Sequence, residues 1–193
     1  PPESIVIWKK YLIYGAAMGI ADKVYDSMKI VDNAVFACIN RANELENGES
    51  KAIDVYTDGA CSGNPGKGGY CAIILLNGDE IVVSGSEDET TNNRMELLAV
   101  IKGIEAVEKP SKINVYSDSS YVINAFNQGW LDSWLSRDWR GSDGKEVKNI
   151  DLWKKLLVLY KKHKVNFIKV KGHSDNPYNN KCDKIAVEQY KKA

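Results

Sequence analysis

Thr57-Asp58-Gly59-Ala60-Cys61-Ser62-Gly63-Asn64-Pro65-Gly66-Lys67-Gly68-Gly69-Tyr70 is the stretch on which the fold turns. Ahead of it, Ala52 to Tyr56 has the pattern of a strand and delivers Asp58 to its end, and behind it Cys71 to Leu76 resumes a strand. The glycines between are too many for a regular element, so the expectation is a loop that joins two strands and holds one carboxylate at its mouth. Taken alone, Asp58-Gly59 is better described as a solvated turn. Lys67 after Gly66 invites comparison with a phosphate-cradling loop. Gly68, however, stands where such a loop needs Ser or Thr, and the segment leads into a strand rather than a helix, so that reading is set aside.

Working outward, Asn77-Gly78 between Tyr70–Leu76 and Glu80–Ser86 is a type I′ hairpin signal, which makes the first three strands an antiparallel meander. Thr90 or Thr91 caps a helix in which Met95, Leu98, Ile101 and Ile104 recur at helical spacing, and Pro110 stops the chain soon after. Lys112 to Ser117 reads as a strand with Asp118 at its carboxyl end, followed by a helix from about Ser120 to Phe126. Asn149 to Lys162 reads as a helix, Val165 to Val170 as a strand and Asn180 to Tyr190 as the last helix. A meander followed by alternating helices and strands predicts an α/β fold, a mixed five-stranded sheet with helices on its faces.

Composition sets bounds. The 193 residues suffice for one domain of about 140 residues plus an appendage. A hydrophobic fraction of 44% with 27% charged residues is that of a globular chain, and a net charge of zero announces no polyanion partner. The distribution says more: Lys154, Lys155, Lys161, Lys162, Lys164, Lys169 and Lys171 crowd one segment with His163. They form either the outer face of an amphipathic helix or a phosphate-tracking surface. Cys38, Cys61, Cys71 and Cys182 have no metal-site spacing and fit a reducing compartment, so the expected location is cytoplasmic. No apolar run approaches a membrane span, and no secretory leader is expected.

Residues 1–50 stand apart. Ile7, Tyr11, Tyr14 and Met18 fall on one helical stripe, and Val31, Val35, Cys38, Ala42 and Leu45 on another. The polar stretch Glu44–Ser50 then reads as a linker. An N-terminal helical appendage, joined by natural or artificial fusion, is expected. It must bury its stripes by packing on the second domain (51–193), on itself, or on another copy through self-association.

Four blocks carry the chemistry. They are the opening stretch, Asn92-Asn93-Arg94-Met95-Glu96-Leu97, Tyr116-Ser117-Asp118-Ser119, and Gly172-His173-Ser174 followed by Asp183. Each is weak alone, but in this order they closely resemble ribonuclease HI, from about Lys51 to the C-terminus. The first fifty residues are unrelated to that family. The resemblance implies the ribonuclease H-like fold and a metal-dependent endonuclease that hydrolyses the RNA strand of RNA–DNA hybrids to 5′-phosphate and 3′-hydroxyl products. Two ions, Mg2+ or by second choice Mn2+, would act together. It also implies roles. Asp58 would bridge both ions, Glu96 and Asp118 would serve the nucleophile side, Asp183 would serve the other ion, and His173 would assist proton transfer or product release.

The chemistry agrees with those roles. Four carboxylates in one pocket repel one another, and hard divalent cations that take oxygen ligands remove the repulsion. By the same resemblance Asn64, Asn92 and Asn93 match groove contacts, and Cys61 and Thr91 match positions near the strand backbones. Ser120 replaces a longer polar residue, which puts one contact in doubt. The segment Gln128 to Asn149, with Trp130, Trp134, Trp139, Arg137, Arg140, Lys145 and Lys148, corresponds to a basic protrusion that grips the DNA strand. Here Asp132, Asp138, Asp143 and Glu146 interrupt its charge and the segment looks shortened, so weaker hybrid affinity is expected. Two other readings stay open: a nuclease of the same fold that cuts DNA or DNA junctions, and a catalytically silent hybrid-binding module.

Overall fold

Alternation decides the architecture. Along Ile53–Cys61 buried and half-buried residues alternate until the strand dives wholly inside at Thr57, as they must in a strand sandwiched between helices. The computed structural model describes residues 52–172 and 176–192. The elements are β1 (Ile53–Cys61), β2 (Gly66–Leu76), β3 (Asp79–Thr90), α1 (Asn92–Glu105), β4 (Lys112–Ser117), α2 (Ser120–Asn127), α3 (Trp130–Ser136), α4 (Ile150–Lys162), β5 (Lys164–Lys169) and α5 (Pro177–Lys192). They form a five-stranded mixed sheet in the order β3-β2-β1-β4-β5. β1 pairs antiparallel with β2 and parallel with β4.

The predicted elements appear in the predicted order and β4 has the predicted bounds, but α3 is an added helix within residues 128–149, where no element is expected. The glycine-rich stretch departs from expectation. β1 runs on through Asp58 to Cys61 and β2 begins at Gly66, with Asp58 opposite Cys71 and Ala60 opposite Gly69, so the loop shrinks to residues 62–65. The glycines serve close approach rather than irregularity. A Cβ on Gly59 would overlap the backbone of Met95 and Glu96, and one on Gly69 would overlap the Ala186 carbonyl. Helices thus press on both faces of the hairpin because it lacks side chains there. At the far end Asn77 and Gly78 have φ of 55° and 92°, as the expected turn requires.

Two helix starts also differ. Thr91 is the N-cap of α1 with extended backbone, but its hydroxyl makes no capping bond. The last helix begins earlier than its apolar pattern suggests, at Pro177. The Asn176 side-chain oxygen accepts from the backbone N–H of Tyr178 and of Asn179, both at 3.1 Å, and Pro177 takes the first helical position where no donor is needed.

The main core lies on the face covered by α1, α2 and α4, where Val55, Ile113, Val115, Ile101, Ile104, Trp153 and Leu156 pack together. Trp153 also donates its indole N–H to the Tyr121 hydroxyl at 2.9 Å. On the opposite face α5 closes a smaller cluster of Cys71, Ile73, Cys182 and Ala186. His163, expected to be basic surface, is instead 6% exposed, and neither ring nitrogen has a partner among the described residues. Burial, with the neighbouring Lys162 charge, holds its pKa below the ordinary histidine value. Among the described residues no helix is long and apolar enough to cross a membrane. Residues 1–50, read as helical, lie outside the described residues.

Candidate active site

Parallel register brings the first two carboxylates together. The β1–β4 ladder ends with Tyr56 opposite Tyr116, and Asp58 and Asp118 each stand two residues further on, at the same end of neighbouring strands. α1 contributes Glu96 from its second turn, and α5 contributes Asp183. All four line one cleft of about 240 Å³ together with Cys61, Asn92 and Asn179.

Burial and like charge dominate the electrostatics. Asp58 is 8% exposed, and its carboxyl is pushed up to about 8, first by burial and then by the charges of Asp118, Asp183 and Glu96. The Gly59 N–H, 2.7 Å from its Oδ1, offsets part of that rise. Burial also raises Glu96, with Asp118 adding to it. Two donors oppose this: the Ser119 hydroxyl, hydrogen-bonded to Oε2, and the Asn92 amide, 2.9 Å from Oε1. Glu96 is therefore clamped at both oxygens.

Among the described residues no three His, Cys, Asp or Glu side chains already stand as a ligand group around one point, so the carboxylates share the cleft without converging fully. Their donor set still suits a hard divalent cation: every charged group lining the cleft is a carboxylate, and the repulsion that raises Asp58 is what a cation would relieve.

The family profile described as RNase H matches residues 50–191, the stretch that carries all four carboxylates. The chain belongs to the RNase H family. Its RNase H domain is 59% identical over 140 residues to the Ribonuclease H of Thermoanaerobacter sp. (strain X514), which covers 72% of this chain and 90% of the relative. It is 54% identical over 141 residues to that of Chlorobium phaeobacteroides (strain DSM 266 / SMG 266 / 2430), covering 73% and 97%. Among solved structures, LC9-RNase H1, a type 1 RNase H with the type 2 active-site motif, superposes with a TM-score of 0.64 at 27% identity over 75% of each chain. LC11-RNase H1 in complex with RNA/DNA hybrid superposes at 0.53 and 22% identity over 72% of this chain and 97% of its own, a likeness of fold. Membership makes this protein an enzyme of the ribonuclease H type and bears out the expected fold class.

The other expected site residues of this RNase H domain fall into two groups. Near the cleft, the Cys61 thiol is 3.5 Å from the carbonyls of Gly66 and Thr90, Thr91 and Asn93 flank Asn92 at the start of α1, and exposed Asn64 sits in the β1–β2 turn. Ser120 is exposed at the start of α2 and accepts from Lys169 Nζ at 2.6 Å. None of the protrusion residues lines the cleft. Trp134 packs edge-on against Trp153 at 5.2 Å, and Trp130 lies 6.3 Å from Trp134. Arg137, Arg140, Lys145 and Lys148 are exposed. Arg140 donates to the Gly144 carbonyl at 3.1 Å, and Lys145 pairs loosely with Asp143 at 3.9 Å. His173 lies outside the described residues. Gly172, just before it, approaches the site so closely that a Cβ there would stand 2.6 Å from Asp118 Oδ2.

Two residues of the site escaped the sequence reading. Ser119 was passed over as the residue after Asp118, yet it is 3% exposed, caps α2 by accepting from Val122 N at 3.3 Å, and holds Glu96. Its place between a strand-end carboxylate and a helix start was the available signal. Asn179 had only its spacing, four residues before Asp183 and hence on the same helix face.

Proposed function

We propose that this ribonuclease H hydrolyses the RNA strand of RNA–DNA hybrids to 5′-phosphate and 3′-hydroxyl ends, using Mg2+, or Mn2+ in its place, held as two ions by Asp58, Glu96, Asp118 and Asp183. The observation that carries this reading is one cleft lined by four carboxylates, the most buried of them pushed up to about 8 by burial and then by the other three. Divalent ions bound there supply an activated water and charge neutralisation at the leaving oxygen of an in-line phosphodiester displacement. The protein's own groups then do the rest. Asp58 would give up its proton to solvent as positive charge arrives, and the Ser119 and Asn92 hydrogen bonds favour the charged form of Glu96 against its burial and aim it. His173, carried next to Gly172, is placed by sequence to move a proton near neutral pH or to help product leave.

Hybrid recognition rests on the same reading, supported by the hybrid complex of a protein with this fold. Cys61 and Asn92 line the cleft, and with Asn64, Thr91, Asn93 and Ser120 they are the short polar groups that would read a 2′-hydroxyl. Trp130, Arg137, Arg140, Lys145 and Lys148 form the more distant contact to the DNA strand. Residues 1–50 are proposed as a separate element dispensable for chemistry, in keeping with a family match that begins at residue 50. Packing on the nuclease domain or self-association is their expected work, and the cytoplasm the expected compartment.

The test is cleavage of labelled hybrid, duplex RNA and duplex DNA, each with Mg2+ or chelator. Only hybrid with Mg2+ should be cut, at the RNA strand. Cleavage of duplex DNA would replace the substrate assignment, and cleavage under chelator would remove the cation from it. The same assay on residues 51–193 alone should give full activity.

A further inference from the structure

Asn179 is 1% exposed, lines the carboxylate cleft, and carries a side-chain oxygen with no donor among the described residues. An amide oxygen shut away from bulk water without a partner is rare in a folded protein and calls for an explanation. The cleft itself offers none. Among the described residues its carboxyl groups, once ionised, are acceptors like the amide oxygen and none is bonded to it, the Asn92 amide is already given to Glu96, and the Cys61 thiol is directed at Gly66 and Thr90. The missing donor must arrive with whatever occupies the cleft.

We propose that Asn179 is a positioning residue for the cation site: its buried oxygen accepts a hydrogen bond from a water carried by a divalent ion held at Asp183, one helical turn further along α5. The inference rests on the metal reading above. Mg2+ keeps several of its waters when protein-bound, so a pocket that takes it needs acceptors behind the ligands as well as the ligands themselves. A neutral amide meets that need without adding a fifth carboxylate to a cleft in which the other three already raise Asp58. The start of α5 fixes the placement. Asn176 accepts from the backbone N–H of Asn179, tying down the turn from which this side chain projects.

The experiment is a calorimetric titration of the full chain with Mg2+, with melting curves in chelator and in Mg2+, for the wild type, Asn179→Ala and Asn179→Asp. Losses of outer-shell partners typically weaken metal binding roughly 10- to 100-fold. Asn179→Ala should therefore bind Mg2+ at least about 10-fold more weakly and lose most of the Mg2+-induced rise in Tm, whereas Asn179→Asp, which keeps an acceptor, should bind at least as tightly as wild type. Equal Mg2+ affinity in wild type and Asn179→Ala overturns the proposal and leaves the metal reading standing. If Asn179→Ala does not fold, Asn179→Asp decides: weaker Mg2+ binding than wild type marks the amide as purely structural and overturns it. A wild type that binds no Mg2+ at millimolar concentration removes the metal reading and this proposal together.

Discussion

The carboxylate cleft and the protrusion at residues 128–149 are built on opposite terms. Asp58 and Asp118 extend paired strands at the centre of the sheet, and their neighbours are fixed by ladder hydrogen bonds, a capped helix start and glycines that admit helices to van der Waals contact. Like charge is gathered there and left unresolved, so the site stores a need for positive charge. In the protrusion charges of both signs alternate on an exposed surface and settle one another locally, as Arg140 does with a carbonyl and Lys145 with Asp143. Its tryptophans are half-buried and pack in part against the core. On the proposed reading, the chemistry sits where geometry cannot drift, and the grip sits where it can be tuned without disturbing the chemistry.

That contrast can be broken most directly at Asp58. Asp58→Asn should lower hybrid cleavage by roughly a thousandfold or more, as expected when a group acting only in the transition state is lost, and leave hybrid affinity nearly unchanged. Persistent Mg2+-dependent turnover in that variant would show that the buried carboxylate is not the centre of the site.

A second effect concerns stability without cation. The Asp58 carboxyl is raised from 3.8 to about 8 in the folded protein, so folding favours its protonated form. The stabilising contribution is whole below about pH 4 and is lost as pH climbs toward 8. In chelator, Asp58→Asn should therefore be more stable to melting than wild type at pH 8–9, by up to about 6 kcal/mol for a rise of this size, with the gap closing as pH falls toward 4. A gap that does not change with pH would mean that the repulsion is not there.

Smaller again is the clamp on Glu96. Ser119→Ala removes a hydrogen bond to a charged group, worth about 1.5–3 kcal/mol, and should reduce kcat about 10-fold or more with KM little altered. A pure KM effect would move Ser119 from the chemistry to the substrate surface.

The protrusion gives the least. Replacing Arg137, Arg140 and Lys145 together by Ala should weaken hybrid binding only a fewfold at physiological salt, flatten its salt dependence by fewer than three contacts, and leave kcat intact. A loss as steep as three full phosphate contacts would show that the local pairings open on binding and that the two regions are less different than they look.

How much of this was legible beforehand depended on the range of the cause. β4 was found at its bounds because its alternation and its neighbours Pro110 and Asp118 are local. The four carboxylates were found through the blocks around them. The extension of β1 and β2 through the glycines was missed because the reason for those glycines lies on α1 and α5, distant in sequence. His163 looked like surface among lysines, yet it follows α4 into the sheet and alternation turns it inward while Lys162 and Lys164 stay exposed. Asn179 could not be read at all, since an asparagine near a helix start has many local uses and only the cleft gives this one its meaning.

The shared offset of Asp58 and Asp118 beyond Tyr56 and Tyr116 also limits how such a chain can change its length. A residue gained or lost in the turns at 62–65 or 77–78 lengthens or shortens a tip. The same change inside β1 or β4 would carry one aspartate to the reverse side of the sheet, since successive side chains point opposite ways. Growth and shrinkage are thus confined to the rims, and what must stay fixed is the two-residue offset of each acid from its own end of the ladder.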